Sequence, residues 1–295
     1  MKIFTSLAKS LSIFASYQSS VIFQTAQIKS WVFRGIAFSM FILVSLPLFS
    51  QNITHTHTNG DSHNQSDGYE LMHEILMMRD ENYRNQVRIN EQLIQRNLAN
   101  AASLRSEYTI PVVVHVVHTG SELGAAENIS DQQIIDAIAY TNQVFKADPA
   151  AGFNGPDIGL ELQLAKRTPD CKPSNGIVRW DFSANTAYVN NGVNIESSAG
   201  VNELVIKGDS RWPNKDYYNI WIINKIDGAD GTSGSFTAGY AYFPGASEEV
   251  DGTVLLASQF VEGSTTLGHE IGHALNLYHT FQGDAAKGEN SLSCP

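Results

Sequence analysis

The stretch GHEIGHALNLYH, running from Gly268 to His279, concentrates the side chains best suited to chemistry: two imidazoles four residues apart, a carboxylate directly after the first, and a third imidazole six residues further on. On an α-helix, positions i and i+4 differ by only ~40° around the axis and ~6 Å along it, so His269 and His273 can reach a single ion. Zinc takes imidazole nitrogen at ~2.0 Å, which this spacing allows. Glu270 points away from direct coordination, toward where an attacking water would sit. It can take that water's proton and later return it to a leaving amine. The chemistry implied is metal-assisted hydrolysis.

His279 is the informative residue. A straight helix would carry it ~15 Å from His269 and off the ligand face, so it becomes a third ligand only if the helix stops between them. Asn276 stands three residues before it, and Asn is the best non-glycine residue for a left-handed C-cap. The composition yields such a three-histidine pattern by chance in about 1 of 2,000 comparable chains. The plain alternative is an exposed helix that happens to carry three histidines. Ser264, Thr265 and Thr266 offer caps just upstream, so the helix is predicted to begin there.

These residues need a scaffold, and the chain supplies one. YTIPVVVHVVH, from Tyr108, is β-branched on both faces, the pattern of a strand buried on both sides. His115 and His118 on it read as core or rim histidines rather than ligands. Ser130 with Gln133 three residues later makes a capping-box start, and Ile134, Ile138, Thr141 and Phe145 form one helical stripe to pack on the sheet. LELQLA, YYNIWII and GTVLLAS read as further strands, and the tail GYAYF of a Gly-rich stretch as an edge. The order of elements predicts an α/β sandwich.

Ahead of this domain, residues 1–60 contain no Asp or Glu. Lys2, Lys9, Lys29 and Arg34 precede a short apolar run over 35–49. That is the order of a secretory signal, with cleavage expected after Ser50; an uncleaved membrane anchor over 35–49 is the alternative. QNITHTHTNGDSHNQSDG follows, with His55, His57 and His63, and reads as a solvated spacer rather than a metal site. From Tyr69 to Ala102 no Gly or Pro occurs, and Leu71, Ile75, Met78, Val87, Leu93 and Leu98 recur at helical spacing. One or two amphipathic helices are expected there, as a pro-region over 51–105 or as a helical extension of the domain.

A net charge of −11 over 295 residues repels phosphate backbones and anionic lipid, so neither nucleic acid nor a membrane surface is expected as a partner; a protein or peptide substrate fits better. Cys171 and Cys294 are too few for a disulfide scaffold. They form one bridge, or leave a thiol whose partner this sequence lacks, or are two inert thiols.

The motif resembles that of the metzincin zinc peptidases, and within them the chain is similar to the pappalysin family, relatives of pregnancy-associated plasma protein A. The resemblance rests on HEIGHALNLYHTFQGD, on YTIPVVVHVVH, and on YYNIWIIN, GYAYFPG and DGTVLL in order, and covers residues 106–295. It implies a metzincin-like α/β (α+β) catalytic domain with a twisted mixed sheet, a packing helix and an active-site helix. It also implies His269, His273 and His279 as zinc ligands and Glu270 as general base. Calcium is a second ion suggested by the family, with Asp227, Asp230 and Asp251 as loop carboxylates able to contribute, or else merely solvated.

Three departures stand out. Asn276 replaces the motif glycine. No Cys lies between Gln51 and Leu104, so a thiol latch on the zinc from a pro-segment is unavailable. No Met follows Met78, whereas such enzymes carry a methionine turn beneath the zinc, downstream of the third histidine. On that reading the lower half of the cleft is missing, and the chain as given is expected to bind zinc weakly and cleave little. The expectation is a secreted zinc endopeptidase; the rival is a non-catalytic zinc-binding or adhesion module, against which the intact Glu270 argues, since a purely structural site has no use for that carboxylate.

Overall fold

A computed structural model describes residues 64–98 and 107–279. The signal segment, His55, His57 and His63 of the spacer, Cys294 and everything after His279 lie outside the described residues.

The sheet is built on β2 (Tyr108–His118), whose residues Val112 to Val117 are wholly buried. Along one edge β2 pairs in parallel first with β3 (Leu160–Leu164) and then with β4 (Ile177–Asp181); along the other it pairs in parallel with β5 (Tyr218–Ile223). β8 (Thr253–Leu256) continues the parallel run beside β5, and β7 (Gly239–Ala241) closes the sheet antiparallel to β8. GYAYF thus supplies an edge, as its sequence suggested. β4 was not foreseen, because IVRWD is half-buried and lacks a clean alternation of apolar and polar residues.

Strand residues alternate between two cores. Val112, Val114, Val116, Ile220, Ile222 and Leu255 meet α3 (Asp131–Phe145) and α6 (Thr266–Ala274) on one face. Val117, Trp221, Ile223, Val254 and Leu256 meet Tyr188 of α4 (Thr186–Asn191), Ile206 and Tyr240 on the other. A strand covered on both faces must be apolar on both, which is why β2 and β5 read as continuous hydrophobic runs. His115 is the exception within β2. It is buried, bonded through Nε2 to Asn219 Oδ1 at 2.9 Å, and stacked on Trp221. Burial pushes its pKa down to about 4, only partly offset by the Asn219 bond. His118 sits at the rim, where its Nδ1 accepts from the Gly120 backbone.

α3 starts where expected: Ser130 Oγ accepts from the Gln133 amide at 3.1 Å. The reciprocal half of the capping box does not form. The Gln133 side chain donates instead to Phe260 O, tying α3 to the loop that leads into α6.

Two helices precede the sheet domain, α1 (Tyr69–Arg79) and α2 (Glu81–Leu98), separated at Asp80. Their buried face runs through Tyr69, Tyr83 and Val87, whereas Met78, Leu93 and Leu98 of the predicted stripe are exposed. The spacer does not stay wholly solvated either. Its last residues form β1 (Asn64–Ser66), which pairs in parallel with β6 (Ser235–Thr237).

Candidate metal centre

α6 carries the first two histidines. Ser264 Oγ, rather than the Thr265 side chain, receives the Thr266 amide at its start. Leu267 and Ile271 of α6 enter the core beside α3, which fixes the helix rotation and turns His269 and His273 away from the sheet. The helix then ends abruptly. Asn276 takes φ +71°, the Asn276 amide bonds to His273 O at 2.9 Å, and the Leu277 amide bonds to Gly272 O at 2.9 Å. This pair of bonds is the Schellman ending, with Asn276 at the left-handed position that glycine usually fills. The reversal brings His279 back over the helix.

The three imidazoles converge. His269 Nε2 lies 3.1 Å from both His273 Nε2 and His279 Nε2. Outward nitrogens are engaged elsewhere: His273 Nδ1 bonds to Leu277 O at 2.7 Å, and His279 Nδ1 bonds to Glu70 Oε1 at 3.1 Å. A ring that donates through Nδ1 keeps its Nε2 lone pair for an ion, and such partners also set the ring's orientation.

A fourth atom joins them. Asp67 Oδ2 is 2.8 Å from His269 Nε2, 2.9 Å from His273 Nε2 and 2.8 Å from His279 Nε2. All four ligand atoms lie within 4.8 Å of one another. A tetrahedral zinc with ligand bonds of ~2.0–2.1 Å has its ligand atoms ~3.3 Å apart, so the donor set fits such an ion with an adjustment of a few tenths of an ångström. Burial would raise the Asp67 carboxyl, but hydrogen bonds from the three histidines outweigh it and hold it well below the usual carboxylate range. Burial also opposes the charge on His279, yet Asp67 and Glu70 lift its pKa to about 9.

Glu270 lies on the inner side of α6, 1% exposed. It accepts a bond from the Ala241 backbone, while its Oε2 finds no donor among the described residues. Burial first, and the Asp67 charge second, push its pKa well above the ordinary value. Ala241 belongs to β7, which is itself steadied by α5 (Glu203–Lys207). Glu203 takes the Tyr240 and Tyr242 hydroxyls and pairs with the buried Lys207 at 2.7 Å.

All four residues singled out in the motif are therefore brought to one place. Asp67 and Glu70 were missed, because nothing local in the sequence ties a spacer aspartate to a helix 202 residues away. Among the described residues, Asp227, Asp230 and Asp251 join no cluster of metal-ligating side chains. Asp227 closes a loop by accepting the amides of Ile195, Glu196 and Ser197, Asp230 accepts from Thr232, and Asp251 from Asn214. Cys171 is exposed and free, with φ +65°.

Among the described residues no helix is long and apolar enough to cross a membrane. Residues 201–294 match the sequence profile of the family described as pregnancy-associated plasma protein-A. An extracellular metalloprotease of Colletotrichum graminicola is 26% identical over 224 residues, covering 70% of this chain and 65% of its own length. The chain thus spans less than two thirds of that relative. Mature mirolysin of Tannerella forsythia, solved in complex with a cleaved peptide, is 30% identical over 62% of this chain and 68% of its own, with a TM-score of 0.47. A promirolysin mutant from the same organism is 29% identical over 74% and 70%, with a TM-score of 0.49. The residues that carry the three-histidine motif thus lie within the stretch, 201–294, that matches the pregnancy-associated plasma protein-A, or pappalysin, family of peptidases.

Proposed function

We propose that the chain is a secreted zinc endopeptidase in which His269, His273 and His279 hold the ion and Glu270 is the general base. One observation carries this reading: three Nε2 atoms converge from a helix that reverses at Asn276, beside a buried carboxylate with one oxygen unengaged. Bound there, zinc would supply a Lewis acid that polarises the scissile carbonyl and makes water nucleophilic at neutral pH.

The chain's own groups do the rest. Leu277 O holds the ring of His273 with Nε2 inward, an orientation worth ~10- to 100-fold in metal affinity or activity in comparable sites. The Ala241 backbone anchors one oxygen of Glu270, which leaves Oε2 to accept a proton from the attacking water and deliver it to the leaving amine nitrogen. Ala241 of β7 meets this carboxylate, and the segment 235–239 leading to it has an edge with which an extended polypeptide can pair, the edge that β1 and Gly68 occupy in this structure. Export, with removal of residues 1–50, is supported by the basic flank and short apolar run, and by the extracellular relative.

The test separates metal from base. His269→Ala, His273→Ala and His279→Ala should each lower bound zinc measured by elemental analysis. Glu270→Gln should keep the zinc and slow casein hydrolysis by at least ~10²- to 10⁴-fold relative to the parent chain assayed alongside. Full zinc retention in His279→Ala would remove the third ligand. Near-parental hydrolysis by Glu270→Gln would remove the general base.

A further inference from the structure

The group that faces the three histidines is on neither their helix nor the sheet. Asp67 lies between β1 and α1, and its two carboxylate oxygens are divided. Oδ1 accepts the Tyr69 amide at 2.7 Å, in the first turn of α1, while Oδ2 touches all three Nε2 atoms. Resting on the metal reading above, we propose that Asp67 is the fourth ligand of the ion and that β1, α1 and α2 form an intrachain latch that holds the site closed. The carboxylate takes the position an attacking water needs, and β1 with Gly68 takes the edge of 235–239 that a peptide substrate needs.

The ligand chemistry is consistent with this. Zinc accepts carboxylate oxygen as well as imidazole nitrogen, and hydrolytic sites differ from structural ones in keeping one position open. A fourth protein ligand converts the first kind into the second.

The backbone is placed to deliver it. β1 lies in parallel along 235–237, and the pairing continues one step beyond it, where the Gly68 amide donates to Gly239 O at 3.1 Å. Asp67 sits within this paired stretch, next to a residue pressed flat on the strand. A Cβ on Gly68 would stand 3.0 Å from Thr237 Cγ2, 3.1 Å from Tyr240 Cβ and 3.3 Å from Gly239 O. A side chain there would press on three atoms of the strand at once, so a glycine after Asp67 suits this close approach.

The helices seat the aspartate. Tyr69 is fully buried, stacked on His273 with ring centroids 3.9 Å apart and on Phe243 at 4.6 Å. Glu70 holds His279 from the same turn. α2 clasps the far side, with Asn90 Nδ2 donating to Pro244 O and Tyr278 donating to Glu91. Yet the segment adds no residue to the core between the sheet and α3 and α6, and only the partly buried Met72 and Leu76 to the other. Its own cluster is Tyr69, Tyr83 and Val87 with Phe243, flanked by the partly buried Ala246 and Tyr278. A part so placed can leave without unmaking the fold. A thiol latch was excluded by composition; a carboxylate does the same work.

The test uses the full chain loaded with cobalt(II), whose visible spectrum reports its ligands, and acetohydroxamate as a small ligand for any open position. Wild type should show little spectral response to hydroxamate. Asp67→Ala and Asp67→Asn should start from a shifted spectrum, respond to hydroxamate, and hydrolyse casein up to ~100-fold faster if wild type is latched in 99 of 100 molecules. Asp67→Asn keeps the side-chain shape and the acceptor for the Tyr69 amide, so it serves if the alanine variant unfolds. Equal hydroxamate responses in wild type and variants would overturn the latch and leave the ion site standing. Cobalt held by wild type alone would make Asp67 a structural ligand and also overturn it. Cobalt bound by none of the three would instead overturn the metal reading beneath both.

Discussion

Asn276 holds a backbone conformation that costs most L-residues ~1–2 kcal/mol, at φ +71°. That single conformation lets His279 return to the two helical histidines while leaving His273 Nδ1 facing Leu277 O. Replacement by glycine should therefore leave zinc affinity within ~3-fold, because glycine enters the left-handed region freely. Replacement by valine should weaken it by ~5- to 30-fold, the strain of a β-branched residue expressed as an equilibrium constant. Competition with a chromophoric chelator measures both, and a valine variant that binds as tightly as the parent would show that the turn does not set the site. The motif was legible at this scale because its members lie within eleven residues and helix geometry is local. Asp67 was not legible, because a carboxylate that reaches a site through a distant strand pairing leaves no spacing to read.

At the scale of elements, the strands β2, β5 and β8 and the helix α3 were readable from apolar patterning and α6 from its histidine spacing and upstream caps, whereas β4 and β6 were not. The reason is physical. Central strands must be apolar on both faces, while IVRWD and SFT sit at margins where partial exposure blurs the pattern. His115 shows what an imidazole inside a central strand costs. Its pKa of about 4 in the folded chain lies below the unfolded value of ~6.5, so the unfolded chain takes up the proton first as pH falls. The stability gained by keeping this ring neutral is complete above pH ~6.5 and is lost progressively as pH drops toward 4, on the order of 3 kcal/mol in all. His115→Gln should flatten that part of the curve in urea denaturation followed from pH 7 to 4. An unchanged slope would show that other groups carry the acid sensitivity.

Across the whole molecule, the metal centre joins elements from both ends of the described chain: Asp67 and Glu70 from the first helix region, the histidines from the last helix and its turn. Bound ion should therefore act as a global clamp. At a free zinc concentration 100 times the dissociation constant, binding adds ~2.7 kcal/mol to folding stability, which corresponds to a rise of about 5–10 °C in Tm for a domain of this size. Scanning calorimetry with and without a strong chelator checks this, and the shift should vanish in His273→Ala. An equal chelator effect in that variant would place the responsible ion elsewhere.

The pairing of β1 with β6 has a consequence for how copies of the chain meet one another. An uncovered strand edge is a row of unpaired amides and carbonyls, and any extended neighbour can join it. The segment 235–239 is such a row, and β1 with Gly68 covers it from within the same chain. A tethered strand competes at an effective concentration in the millimolar range, above what crowding among separate copies usually supplies. On the latch proposed above, storage as a non-sticking molecule and silence as a hydrolase become one property of one three-residue strand, and whatever lifts it from the edge ends both together.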